Sequence, residues 1–156
     1  MKSFIARIMH YVHLVRRSHT IGVRAIVQKD DGSVLLVKHT YVPGWYLPGG
    51  GVEWGETLYQ ALEKELMEEA GVTLTDKAEM LAIYQNRSAS KRDHVALYHC
   101  PHWRQDNKPN FPNHEILAVE FFPLNKLPEG TTDATKRRLA EPVSYTHLTL
   151  PTILLV

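Results

Sequence analysis

Three glutamates, Glu65, Glu68 and Glu69, crowd into five positions of the segment GGGVEWGETLYQALEKELMEEAGV, residues 49 to 72, behind a run of three glycines. Carboxylates at close spacing transfer protons or hold hard cations, and glycines let a ligand approach the backbone. Direction decides between a site and a solvated surface. At about 100° per residue on a helix over 57–70, Glu65 and Glu69 continue the stripe of Leu58, Ala61 and Leu62, and Glu68 lies beside it. A solvated acidic face would lie opposite that stripe, so the spacing predicts three side chains converging inward. Like charges at i,i+4 cost a helix only about 0.2–0.5 kcal/mol, whereas removing an unpaired carboxylate from water costs on the order of several kcal/mol. An inward cluster must therefore bind protons or cations, and oxygen-only donors select magnesium or manganese over zinc. Gly49, Gly50 and Gly51 fit close backbone approach to a metal or phosphate, or a tight strand-to-helix turn, and Gly71 with Val72 forms a helix end.

The elements that must position this segment are legible around it. GVRAIVQKDDGSVLLVKHT, from Gly22, alternates about Asp30-Asp31-Gly32 and predicts a β-hairpin. GWYL predicts a short aromatic strand ending at Pro48; MLAIYQ, DHVALYHC and ILAVEFF predict further strands, and TTDATKRRLA a capped helix. That order implies an α/β fold with a mixed sheet and helices against it. Phe4, Ile5, Ile8, Tyr11, Val12 and Val15 recur at helical spacing with basic residues between them, predicting an amphipathic N-terminal helix over 1–19 that packs on the domain or on a second subunit; a membrane-surface or organelle-targeting role is the other reading. The central domain is expected over 20–141. PVSYTHLTLPTILLV has no charged residue, and VSYTHLTLPT looks like a translated sequencing-library adapter, so 142–156 is taken as a non-native tail with no function assigned.

The segment 50–72 resembles the Nudix hydrolase family, marked by Gly, five residues, Glu, seven residues, then Arg-Glu-apolar-any-Glu-Glu-any-Gly-apolar. Gly50, Glu56, Lys64, Glu65, Leu66, Glu68, Glu69, Gly71 and Val72 stand at those positions, with Lys64 replacing the family's Arg. The hairpin, GWYLPGG and FFPL extend the resemblance across about 20–140. It implies an α/β/α sandwich that hydrolyses a nucleoside diphosphate linked to another moiety, with magnesium or manganese held by Glu65, Glu68, Glu69 and the Gly50 carbonyl. It further implies that Glu65 can act as base and that Glu56 orients the residue at 64. Glu115, ahead of FFPL, and Glu53 are further candidates for catalysis or metal binding, each with a solvated loop acid as the alternative. Lysine keeps the charge of arginine but loses its planar two-point grip, which predicts reduced or altered activity.

For the substrate, Trp45 and Tyr46 precede the glycines, where an aromatic face can stack on a nucleobase or serve as core. Arg87, Lys91, Arg92 and His94 share one turn region, which can meet phosphates or remain a solvated hairpin tip. Many members that hydrolyse ADP-ribose carry a proline downstream of the box; none lies between Val72 and Pro101, which weighs against that substrate. Nucleotide sugars and nucleoside triphosphates both stay open, as do 5′-pyrophosphate removal from RNA and a non-catalytic nucleotide sensor.

Composition sets the bounds. The 156 residues are 44% hydrophobic and 22% charged, as in one ordinary globular domain. The net charge of +1 hides an asymmetry: residues 1–29 hold six of the 18 basic residues and no acid, leaving 12 against all 17 acids and −5 over 30–156. An acidic body suits cation binding and gives no general case for nucleic acid. A lone Cys100 cannot form an internal disulfide and has no zinc-type neighbours, so a reducing, cytoplasmic setting is expected. Arg7, His10 and His13 interrupt the first apolar residues, so neither a secretion signal nor a membrane span is expected, and a homodimer is left open.

Overall fold

The computed structural model describes residues 18–87, 89–106 and 109–145. The expected N-terminal helix falls outside them apart from its last two residues, as does the tail beyond Tyr145. The elements run β1 (Thr20–Val27), β2 (Val34–His39), α1 (Leu58–Ala70), β3 (Val72–Leu74), β4 (Glu79–Gln85), β5 (Asp93–Cys100), β6 (Trp103–Gln105), β7 (Ile116–Phe122) and α2 (Asp133–Tyr145), with a 3-10 turn at Leu124–Lys126. The three longer expected strands form as β4, β5 and β7. Two short strands were not anticipated: β3 and β6, each three residues long, pair antiparallel.

The expected hairpin is corrected by the structure. The turn itself forms, with Gly32 at φ 83° and the Asp31 carboxylate accepting the Ser33 N–H at 2.9 Å. Beyond the single bridge Gln28–Val34, however, β1 and β2 part company. β1 runs parallel to β5 in a sheet ordered β1-β5-β4, while β2 pairs antiparallel with β7 in a second sheet. The cause lies in β2, where VLLV is apolar on both faces and so needs cover on both sides rather than a single wet face. GWYL likewise makes only isolated bridges at Trp45 and Tyr46.

Alternation along the strands divides the interior in two. Val23, Ala25, Val27, Leu35, Val37, Ala96, Tyr98 and Cys100 face Ala61, Leu62, Leu66 and Ala70 of α1. Ile26, Val34, Leu36 and Leu97 face the other way, towards Trp45, Leu47 and Leu139 of α2. The result is an α/β/α sandwich with strands between two helices. Buried Cys100 has its thiol pushed up to about 12, so it stays protonated and inert.

Helix α1 carries its own punctuation. The Thr57 hydroxyl accepts the Gln60 N–H while the Gln60 side chain accepts the Thr57 N–H, a reciprocal cap. Gly71 ends the helix at φ 64°, donating to the Leu66 and Met67 carbonyls. Leu62 and Leu66 are fully buried, and each contributes about 1.5–3 kcal/mol, enough to offset the burial of one carboxyl on the same stripe.

Candidate active site

That carboxyl is Glu69, only 4% exposed. Its Oε2 accepts the Gly49 N–H at 2.7 Å, and its Oε1 lies 3.5 Å from Nε2 of His39. Burial pushes Glu69 up to about 8, against the opposing pull of the Gly49 hydrogen bond and the Arg24 charge. One turn earlier, Glu65 is half-buried and also raised by burial, with Lys64 and Arg24 pulling down and Glu68 and Glu115 pushing up. The Glu65 carboxylate packs so closely on Gly50 that a Cβ there would run into it.

The glycine segment that receives these side chains is held like an added strand along β1. Ala25 donates to the Pro48 carbonyl and Val23 to the Gly50 carbonyl, each at 2.9 Å, and Val52 donates to Ile21 at 2.9 Å. Gly49 sits at φ 135°, where a side chain is strained, and a Cβ there would meet the Val23 carbonyl. The Gly50 carbonyl is thus already an acceptor, with one lone pair left.

Glu53, Lys64, Glu65, Glu68, Glu69, Asn113 and Glu115 line one cavity of about 250 Å³. The convergence expected of the three helix glutamates is only partial. They share the cavity, but Glu68 is exposed, and among the described residues no three acidic or histidine side chains stand close enough to hold one ion between them. The donors still suit a hard dication, because two of the carboxyls are lifted by burial and a cation would replace the proton that each otherwise needs.

Lys64 does not enter that cluster; it ties down the loop in front. Its Nζ lies 2.9 Å from Glu56 and 3.3 Å from Glu53, and Glu56 also accepts the Glu53 N–H at 3.0 Å. The Glu56 hydrogen bond is the chief reason that Lys64 is pushed up to about 12. We expect Lys64→Met to lower kcat/KM by about 10–100-fold, chiefly through KM, because it frees the loop without removing a carboxylate. Lys64→Arg, which supplies the planar two-point grip that lysine lacks, should match or exceed wild type in the same steady-state assay.

Glu115 is exposed on the loop before β7, where Asn113 Oδ1 accepts its N–H at 3.0 Å and Thr40 donates to its carbonyl at 2.9 Å. Trp45 does not reach the site. At 9% exposure it packs edge-on against Phe122 in the α2-side core, because a large ring between buried strand positions gains more from core than from cleft. Arg87 and Arg92 are exposed in the β4–β5 turn and line neither cavity; their neighbours Asn86 and Asp93 do.

A second, larger cleft of about 700 Å³ shares Glu65, Glu69 and Glu115 with the first, so the two run together. It adds Arg24, His39, Tyr41, Trp54, Asn86 and Asp93. Sequence reasoning missed Arg24, although a charge within the apolar run of β1 beside the glycines was a usable signal. Nη1 of Arg24 and Nδ1 of His39 are buried with no hydrogen-bond partner among the described residues. Burial first, and then the Arg24 charge, hold the His39 imidazole below its ordinary value. Sequence reasoning missed His39 as well, although it continues the α1-facing alternation of Leu35 and Val37 along β2, which brings it to Glu69.

A pH dependence follows from Glu69. A carboxyl raised in the folded chain keeps its proton where the unfolded chain has lost it, so metal-free stability should fall as pH rises from 4.5 to about 8 and level off above. Magnesium at a hundred times its Kd adds about 2.7 kcal/mol. Its gain in Tm should be larger near the top of that range, where it no longer competes with a proton. Glu69→Gln should flatten the metal-free profile; an unchanged slope would remove Glu69 as its source.

A family model for the NUDIX domain matches residues 18–142. The chain is 35% identical over 77 residues to a putative 8-oxo-dGTP diphosphatase of Bacillus subtilis, covering 49% of this chain and 51% of that protein. It is 33% identical over 121 residues to an ADP-ribose pyrophosphatase of Methanocaldococcus jannaschii, covering 74% and 69% respectively. The chain thus spans about half the length of the first relative and about two thirds of the second. Among solved structures, a MutT NUDIX hydrolase from Burkholderia pseudomallei superposes with a TM-score of 0.65 at 27% identity, over 78% of this chain and 95% of that one. Among the described residues, no helix is long and apolar enough to cross a membrane.

Proposed function

The chain belongs to the Nudix family, and from that premise we propose that it is a divalent-cation-dependent pyrophosphohydrolase acting on a nucleoside diphosphate linked to another group. The observation that carries this reading is a polar cavity lined by five glutamates, two of them pushed up by burial, which runs into a larger cleft. Glu65, Glu68, Glu69 and the Gly50 carbonyl would hold magnesium or manganese. Such a dication, when bound, neutralises diphosphate charge and makes water more acidic. Glu65 would accept the proton of the attacking water; of the three glutamates that line both cavities it is the half-buried one, where Glu69 is buried and Glu115 exposed. Arg24 and Lys64 both bring positive charge to bear on Glu65, and Glu56 holds Lys64 in place.

The test is product release from a panel of ADP-ribose, nucleoside triphosphates and a 5′-triphosphorylated RNA oligonucleotide, with magnesium, with manganese, and with chelator. Metal-dependent cleavage of a small nucleotide, lost in Glu68→Gln, is the expected result. Preference for the RNA would move the substrate class to nucleic acid 5′ ends. Binding without turnover across the whole panel would make the chain a sensor and overturn the hydrolase reading.

A further inference from the structure

Trp54 is the most exposed large apolar residue among those described, with 105% of its reference surface in water. It stands at the tip of a tight turn in which the Glu56 N–H donates to the Glu53 carbonyl at 3.2 Å, followed by Gly55 at φ 82°. Both feet of that turn are clamped: Lys64 reaches Glu53 and Glu56 together. An indole left in water on a braced turn is set in place for a contact that none of the other described residues makes.

The surroundings indicate what the contact is. Trp54 lines the 700 Å³ cleft, and that cleft runs into the 250 Å³ glutamate cavity through Glu65, Glu69 and Glu115. The smaller cavity lies below the range of about 300–1,000 Å³ that encloses a whole small ligand, so it takes the charged diphosphate end and leaves the rest of the substrate to the cleft. Of the other rings lining the cleft, Tyr41 is already engaged, its ring 5.2 Å from that of His39 and its hydroxyl 3.5 Å from Glu115. No hydrogen bond or ring contact of the Trp54 indole is found among the described residues. Further along, Asn86 donates to Asp93 at 2.7 Å and Thr20 donates to the other oxygen of Asp93 at 2.6 Å, a polar wall suited to sugar or base edges.

We infer that Trp54 is the stacking platform for the nucleobase, and that the enzyme selects base-bearing diphosphates through this residue. The inference rests on the hydrolase reading above and adds to it the residue that recognises the base. Stacking needs only a π face, so it selects bases as a class over base-free phosphates.

The experiment compares α,β-methylene-ADP and its guanine counterpart, which resist cleavage, with methylenediphosphonate, which lacks the nucleoside. Each is titrated calorimetrically with magnesium into the full chain, as wild type, Trp54→Phe and Trp54→Ala. The expected result is a Kd for both nucleotides raised about ten-fold or more in Trp54→Ala and held within about three-fold in Trp54→Phe, with methylenediphosphonate unchanged in all three. Equal weakening of all ligands would show a loosened loop and overturn the inference, as would nucleotide affinity insensitive to Trp54→Ala. Self-association of wild type that is lost in Trp54→Ala, with unchanged nucleotide Kd, would assign the indole to a second copy of the chain instead. Wild type that binds nucleotide no better than methylenediphosphonate overturns stacking and leaves the hydrolase reading standing; binding of neither ligand removes that reading first.

Discussion

Glutamine in place of Glu65 is expected to lower kcat by about 10²–10⁴-fold while leaving the fold as stable as before or more so. The two effects separate because Gln and Glu fill the same space against Gly50, whereas only Glu accepts a proton or balances a dication. Burial already holds the Glu65 carboxyl above its ordinary value, so removing its charge relieves the folded chain rather than straining it. In the unfolded chain the carboxyl ionises freely, so the relief shows as a Tm equal to or above that of wild type at neutral pH. Single-turnover rates and melting curves on the same preparation check both halves. A Tm that falls in step with the rate would make Glu65 a packing residue, and full activity in Glu65→Gln would take it out of the reaction.

The second large effect is steric. Alanine at Gly49 would have to hold φ 135° and place its Cβ against the Val23 carbonyl, with the Arg24 Cα only 3.0 Å away. Backbone strain and overpacking each cost about 1–3 kcal/mol, so a loss of about 2–6 kcal/mol and a fall in Tm of roughly 4–24 °C are expected. The Gly49 N–H that anchors Glu69 would shift with the backbone, so the magnesium response should weaken as well. Gly51→Ala is the control. Nothing lies within 4 Å of a Cβ there and φ is ordinary, so it should stay within about 0.5 kcal/mol of wild type. Equal destabilisation by the two substitutions would refute the close-approach account of Gly49.

What could be read from the chain beforehand was whatever depends on near neighbours. Helix α1 announced itself through the Leu58–Leu62 stripe and Gly71, since periodicity and helix ends act within a few residues. The same local rules placed β4, β5, β7 and the start of α2, where the Thr132 hydroxyl accepts the Thr135 N–H. Choice of strand partner is not local. Asp30-Asp31-Gly32 made its turn, yet β1 took β5, some seventy residues away, and β2 took β7, so each strand found its partner far along the chain. For the same reason Arg24 and His39, on strands of different sheets, could not be joined to the glutamates in advance. The two tryptophans near the glycines show the limit most plainly. Trp45, between strand bridges, went into the core, while Trp54, between turn residues, stayed out.

The pairing of residues 48–52 along β1 does more than shape a binding surface. β5 covers one side of β1, and the glycine segment covers the other, so that strand has no open flank. Peel the segment away and a row of unpaired amides and carbonyls is uncovered, a template on which separate molecules join flank to flank. Loosening this segment therefore threatens solubility together with turnover, and variants damaged here should be sought in the aggregated fraction as much as among the inactive.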